Sequence, residues 1–209
     1  MFISFLLGFI IGLPLPILAI QILLIDLGVE VLPSIALSFE PEEEGVMSKK
    51  PRNPKRRIMD KNLVLKVIMI GSMIGIGSLF LFYKTLINGG WYFGEVLDAG
   101  SLLYLHATTI TFASIMMFQM VNAFNAKTET ESVFKAGIFK NIFLLIAVAS
   151  SILMTIAIAY FPFFNQVLHT APLTLNDWEW IIGFSLSLLV IEEIRKFIVR
   201  TYQSSKRIS

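Results

Sequence analysis

The 209 residues are 56% apolar and only 15% charged, with a formal net charge of +2. Soluble domains carry about 25% charged residues, interleaved with apolar ones at short periods, so this composition argues against a water-soluble fold and makes the bilayer the solvent. Cysteine is absent, which removes disulfides, thiolate nucleophiles and soft-metal thiolate sites and leaves hard, oxygen-liganded cations open. No nucleic-acid signature is present.

Residues 2–13 form the first apolar segment. They lack a basic n-region and a small-residue cleavage site, so they read as a membrane helix rather than a secretory signal. Pro14 and Pro16 interrupt it early, which makes it a partial span. Residues 17–39, 63–86, 102–124, 142–161 and 178–199 follow as continuous apolar runs, where barrel strands would alternate over about ten residues. The expected fold is therefore all-α, a single multi-pass helical bundle over residues 1–209 with about six membrane segments, the first one partial.

Basic residues fall on one side of these spans. Lys49, Lys50, Arg52, Lys55, Arg56, Arg57 and Lys61 lie in the loop 40–62, Lys127, Lys135 and Lys140 in the loop 125–141, and Arg195, Lys196, Arg200, Lys206 and Arg207 at the C-terminus. The loops 87–100 and 162–177 carry acids and neither Lys nor Arg. Basic loops resist translocation, so the first set is expected to be cytoplasmic. Trp91, Tyr92, Trp178 and Trp180 stand where the other loops meet helices, the depth that amphipathic rings prefer. Pro51 and Pro54 make the basic stretch an expected turn. In the third span Gly71, Ser72, Gly75, Gly77 and Ser78 present small faces suited to close helix packing.

Asp26 and Glu30 stand inside the second apolar run, four residues apart, so on a helix they project from one face. A charged residue at the centre of a span costs about 2.5 to 3.5 kcal/mol on insertion scales, and a bound cation or proton would offset that for both. Pro33 lacks an amide hydrogen and so frees the carbonyl of Val29, while Gly28 relaxes the backbone beside it. Carboxylates and carbonyls then converge as hard ligands suited to calcium, sodium, potassium, magnesium or protons. Gln119 and Asn122 are one turn apart in the fourth span and read either as further oxygen ligands or as interhelical hydrogen-bonding groups. His106 reads as a packed, hydrogen-bonded histidine, and Glu192 as an ion-pair partner of Arg195 and Lys196. No glycine-rich phosphate loop and no hydrolase triad occurs, so no catalytic residues and no cofactor-binding residues are assigned.

The run Ile25-Asp26-Leu27-Gly28-Val29-Glu30-Val31-Leu32-Pro33 resembles the sixth transmembrane helix of P-type cation-transporting ATPases and closely follows its sodium/potassium-pump form. Val46-Met47-Ser48-Lys49-Lys50-Pro51-Arg52-Asn53-Pro54-Lys55 is similar to the cytoplasmic loop that follows that helix. The likeness continues through residues 119–125, Thr170-Ala171-Pro172-Leu173 and Glu192-Glu193-Ile194-Arg195-Lys196-Phe197. It implies the end of helix five through helix ten of a translocase in the cell membrane, with Asp26, Val29, Glu30, Gln119 and Asn122 at cation-coordinating positions. Val29 replaces a common Thr and Glu30 the usual Asp of calcium and sodium/potassium pumps, so the resemblance does not carry over which cation is moved: calcium, sodium, potassium or a proton. The family's phosphorylated-aspartate motif and nucleotide domain do not occur within these residues, so Mg-ATP is expected only on a separate or missing catalytic portion. The implied partners are the lipid bilayer, that portion and an inorganic cation. A noncatalytic membrane interaction subunit or transport-inactive relic is the alternative, and a passive channel built on these spans alone is a third.

Overall fold

Continuous apolar runs in lipid leave the backbone one way to satisfy its own N–H and C=O groups within a segment, which is the helix. The computed structural model describes residues 2–41 and 61–208, and among these all regular secondary structure is helical. In chain order it comprises α1 (Phe2–Ile11), α2 (Ala19–Leu23), a π-helical turn (Leu24–Val29), α3 (Val31–Leu37), α4 (Lys61–Asn88), α5 (Leu102–Ala126), α6 (Val133–Ala136), α7 (Ile142–Tyr160), α8 (Pro162–Leu168) and α9 (Leu175–Ile208). The expected basic turn lies outside the described residues except at Lys61, which opens α4.

Among the described residues, four helical stretches are long and apolar enough to cross a bilayer: Ala19–Leu37, Leu63–Asn88, Leu102–Ala126 and Ile142–Tyr160. With 10 residues, α1 reaches about 15 Å, half of the hydrocarbon thickness, in keeping with a partial span. It ends where Gly12 takes a positive φ of 78°, and Pro14 and Pro16 keep the chain from resuming a helix before Ala19. The 34 residues of α9 reach about 51 Å, longer than the hydrocarbon is thick, with Asp177 and Glu179 near its start and Glu192, Glu193, Arg195 and Lys196 at and just past its midpoint. The connection 162–177, a loop by sequence, contains α8, which Pro162 starts at the first helical position, where a missing N–H costs nothing.

The bundle is built around α5. This helix buries 78% of its most apolar window, whereas α4 buries 28% and α7 39%, which makes α5 the axis and leaves its neighbours their outer faces for lipid. Phe112, Ile115, Met116 and Phe118 of α5 meet Ile25 and Ala36 of the broken second span, Ile74 of α4, Leu144 and Val148 of α7 and Leu188 of α9 in one apolar core. Trp91, expected at headgroup depth, is instead buried with Phe82, Leu86 and Tyr104, and its Nε1 donates to the Glu95 carbonyl at 2.9 Å. Tyr92 beside it is exposed.

The small residues of α4 act as the packing reading expects. A Cβ on Gly75 would stand 2.8 Å from Ile3 of α1 and 3.2 Å from the Ser4 backbone nitrogen; on Gly77 it would stand 2.7 Å from the Phe118 ring of α5. Both sites therefore set how closely α4 approaches its neighbours. Gly75→Leu and Gly77→Leu are each expected to lower stability by about 1–3 kcal/mol through overpacking, read as a lower unfolding midpoint in detergent. Gly183→Leu on α9, where a Cβ would meet nothing within 4 Å, is expected to leave the midpoint in place, and equal losses at all three would count against this account.

Candidate functional site

The two intramembrane carboxylates lie where the second span leaves α geometry. Asp26 is within the π turn and Glu30 closes it, with φ −79° and ψ −21°. The Glu30 amide donates to the Ile25 carbonyl at 3.1 Å, an i→i+5 bond, and π turns of this kind concentrate at functional sites. Downstream, the Ser34 hydroxyl donates to the Glu30 carbonyl at 2.8 Å and the Ser34 amide to the same oxygen at 3.3 Å. The wider turn lies just ahead of Pro33, whose missing N–H removes the donor that the Val29 carbonyl would otherwise receive.

The turn fixes which side chains face inward. Ile25 is fully buried against α5, and Pro33 and Ala36 are also buried, whereas Asp26 is exposed and Glu30 half-buried. Asp26 and Glu30 share an open cleft of about 490 Å³ with Val31, Ser34, Ile35 and Ser38. The structure therefore brings the two acids together. Gln119 and Asn122 are half-buried on α5 and do not line that cleft. Val29 contributes backbone to the π turn, and its side chain is outside the described set.

Two further features of the region were not singled out from the sequence. Ser34 and Ser38 place hydroxyls in the acid-lined cleft, a signal available as the i+4 and i+8 positions from Glu30. Asn125 extends the amide row of Gln119 and Asn122 by another i+3 step. It is 1% exposed, and neither side-chain polar atom has a hydrogen-bond partner among the described residues, an uncommon state for a buried amide.

Charged groups at the end of the bundle that carries the α5–α7 connection are tied to backbone. Lys127, its side chain fully buried, meets Glu40 Oε1 at 3.2 Å and donates to the Gly137 carbonyl at 2.9 Å. Asn141 caps α7 by accepting the Leu144 amide at 3.0 Å, and its Nδ2 donates to the Ala36 carbonyl at 3.0 Å and to Glu40 Oε2 at 2.8 Å. The broken second span is thereby fastened to α5 and α7 just beyond its last helical turn. On α9, Arg195 Nε donates to Glu192 Oε2 at 2.6 Å, the expected ion pair. Lys196 approaches Glu193 at 3.6 Å and donates to the Asn125 carbonyl at 3.2 Å and the Thr128 hydroxyl at 2.9 Å. At the opposite end His106 Nε2 lies 3.0 Å from Asp177 Oδ2, which makes the histidine a hydrogen-bonded link between α5 and α9.

Comparison with known proteins gives a consistent picture. The family described as "Cation transporting ATPase, C-terminus" matches residues 14–198. A calcium-transporting ATPase of Bacillus subtilis is 35% identical over 176 residues, covering 84% of this chain and 18% of that protein. Calcium-transporting ATPase type 2C member 1 of Mus musculus is 31% identical over 194 residues, covering 93% of this chain and 20% of that protein. Potassium-transporting ATPase alpha chain 2 of Oryctolagus cuniculus is 29% identical over 227 residues, covering 96% and 21%. The chain thus spans about a fifth of the length of the curated relatives it matches.

The Glu40 and Lys127 contact is open to a direct check. Lys127→Met strands a largely buried carboxylate and is expected to cost about 3 kcal/mol, measured as a lower unfolding midpoint in detergent. Adding Glu40→Gln, which keeps a group able to pair with Asn141, is expected to recover most of the loss. A midpoint unmoved by Lys127→Met would remove the clamp as a stabilising element.

Proposed function

The chain belongs to the cation-transporting ATPase family as its C-terminal membrane domain, and on that footing we propose that Asp26 and Glu30 hold the transported cation in the broken second span. The single observation that supports this most is the shared cleft of the two carboxylates at a π turn, with neither Lys nor Arg among the described residues that line it. Two acids without a basic partner in a span are stabilised when a cation sits between them. The Val29 carbonyl and the Ser34 hydroxyl supply further oxygens of the kind that hard cations take, and the Gln119 and Asn122 amides, which lie on α5 outside this cleft, form a separate set of oxygen ligands.

The cleft opens on one side of the described helices, which is where the remaining helices of a longer pump would close it. The matched relatives are named for calcium and potassium transport, so those two ions lead sodium and protons here. Paired carboxylates favour the divalent one. Hydrolysis of Mg-ATP belongs to a catalytic portion outside these residues, in the same or in a separate polypeptide. We place the chain in the cell membrane with loops 40–62 and 125–141 and the C-terminus cytoplasmic, because those parts hold nearly all the Lys and Arg.

A second reading, a noncatalytic membrane interaction subunit, draws on the exposure of Asp26, which would suit contact with another helix as well as with an ion. Transport-coupled binding separates the two. In the complete pump, Asp26→Asn with Glu30→Gln is expected to weaken cation affinity by about 10²- to 10⁴-fold, the loss of two charged ligand contacts worth about 1.5–3 kcal/mol each. Gln119→Ala and Asn122→Ala are each expected to weaken it by about tenfold, one neutral contact apiece. Cation-stimulated ATP hydrolysis with an unchanged half-saturating concentration in the double variant would favour the interaction subunit.

A further inference from the structure

The end of the bundle opposite the basic loops holds a cavity that shares no lining residue with the acid cleft. It encloses about 290 Å³ between the C-terminal end of α4, the start of α5 and the start of α9, with Lys84, Asn88, His106, Asn176, Asp177 and Trp180 among its walls. Lys84 Nζ stands 3.3 Å from the centroid of the Trp180 ring, a cation–π contact that holds the ammonium in the cavity rather than letting it extend into water. Asp177 faces it. Its Oδ2 accepts from the Thr174 amide at 2.7 Å and from the Thr174 hydroxyl at 2.7 Å, and lies 3.0 Å from His106 Nε2. All of these contacts fall on Oδ2, which leaves Oδ1 for another donor.

Trp180 and Asn176 also line a second cavity, of about 540 Å³, that runs along α9 past Glu179, Gly183, Phe184 and Ser187. Its middle is open because Gly183 has no side chain and a Cβ there would touch nothing within 4 Å. Phe184 stacks on Phe80 of α4 at 5.3 Å between ring centroids and gives this groove an apolar wall. A polar cup at the helix ends thus continues into an apolar channel descending the helix, and both share one indole ring.

We propose that this pair of cavities holds a zwitterionic glycerophospholipid with a primary-amine headgroup, of the phosphatidylethanolamine type. Lys84 takes the phosphate, the Asp177 carboxylate takes the ammonium, and one acyl chain lies over Gly183 against Phe184. The charge order decides the class. An anionic headgroup alone would meet Asp177 with nothing to offer it. A trimethylammonium headgroup has no N–H to donate to Asp177 Oδ1. The site lies away from the acid cleft of the second span and stands whether or not that cleft binds a cation.

Tryptophan quenching by lipids with brominated acyl chains tests this on the full chain in vesicles, with Trp180→Phe supplying the background from the other two indoles. Brominated phosphatidylethanolamine is expected to quench at about fivefold lower mole fraction than brominated phosphatidylcholine or phosphatidylglycerol, equivalent to about 1 kcal/mol from one charge contact at the interface. Lys84→Met and Gly183→Leu are each expected to weaken quenching by all three lipids, Lys84→Arg to keep it, and Asp177→Asn to remove the preference for the primary amine, with helix content from circular dichroism unchanged in all four. Equal quenching by the three lipids in the unsubstituted chain would overturn the proposal, and that comparison needs no variant to fold. Competition by millimolar inorganic phosphate would reassign the cup to a free anion. A stoichiometric membrane polypeptide that displaces the lipid and is released by Lys84→Met would reassign it to a partner helix; either result overturns the lipid assignment.

Discussion

Backbone hydrogen bonding in lipid is the constraint on which the arrangement depends. A span that contains Pro33 cannot keep its regular ladder, and no water is at hand in hydrocarbon to repair the gap. The chain responds with one i→i+5 turn just ahead of the proline and with the Ser34 hydroxyl donating to the Glu30 carbonyl. The wider turn also turns Ile25 into the core while presenting Asp26 and Glu30 together in the cleft on the other side. One backbone irregularity therefore both preserves the helix and creates the acidic site.

What keeps the broken span in place is the combination of an apolar contact at its middle and a polar tie at its end. Ile25 and Ala36 pack on α5, the most buried helix, so the inner face of the break is anchored to the rigid centre of the bundle. At the end, Glu40 is held by Lys127 from α5 and by Asn141 from α7, which also donates to the Ala36 carbonyl. These charged and amide groups sit where the span leaves the hydrocarbon, so their hydrogen bonds are made where carbonyls at helix ends need donors. Among the described residues the cleft itself has no comparable tie across its open face.

The same logic orders the rest of the chain. Lys127 and Lys196 are buried, yet each is surrounded by carbonyl, hydroxyl or carboxylate oxygens, and a buried ammonium is tolerated only with such partners. They hold the α5–α7 connection against α9 and the second span. At the opposite end His106, Asp177, Lys84 and Trp180 link α4, α5 and α9. Between the two polar ends the contacts are apolar or set by glycine, as at Gly75 and Gly77, where lipid offers no hydrophobic drive and close approach supplies dispersion instead.

Composition and the spacing of apolar runs were sufficient to establish an all-helical membrane bundle, the partial character of the first segment, the second-span acids and the packing role of Gly75 and Gly77, because each depends on local chemistry or helical period alone. The Glu192 and Arg195 pair was legible for the same reason, being three residues apart on one helix. Tertiary structure alone decided that α5 is the axis, that Trp91 is a core residue, that Lys196 turns to Asn125 and Thr128, and that Gln119 and Asn122 stand apart from the acid cleft. Those outcomes depend on helix rotation and on contacts between residues as far apart as Glu40 and Asn141, and a linear pattern carries no record of which faces of separate helices will meet.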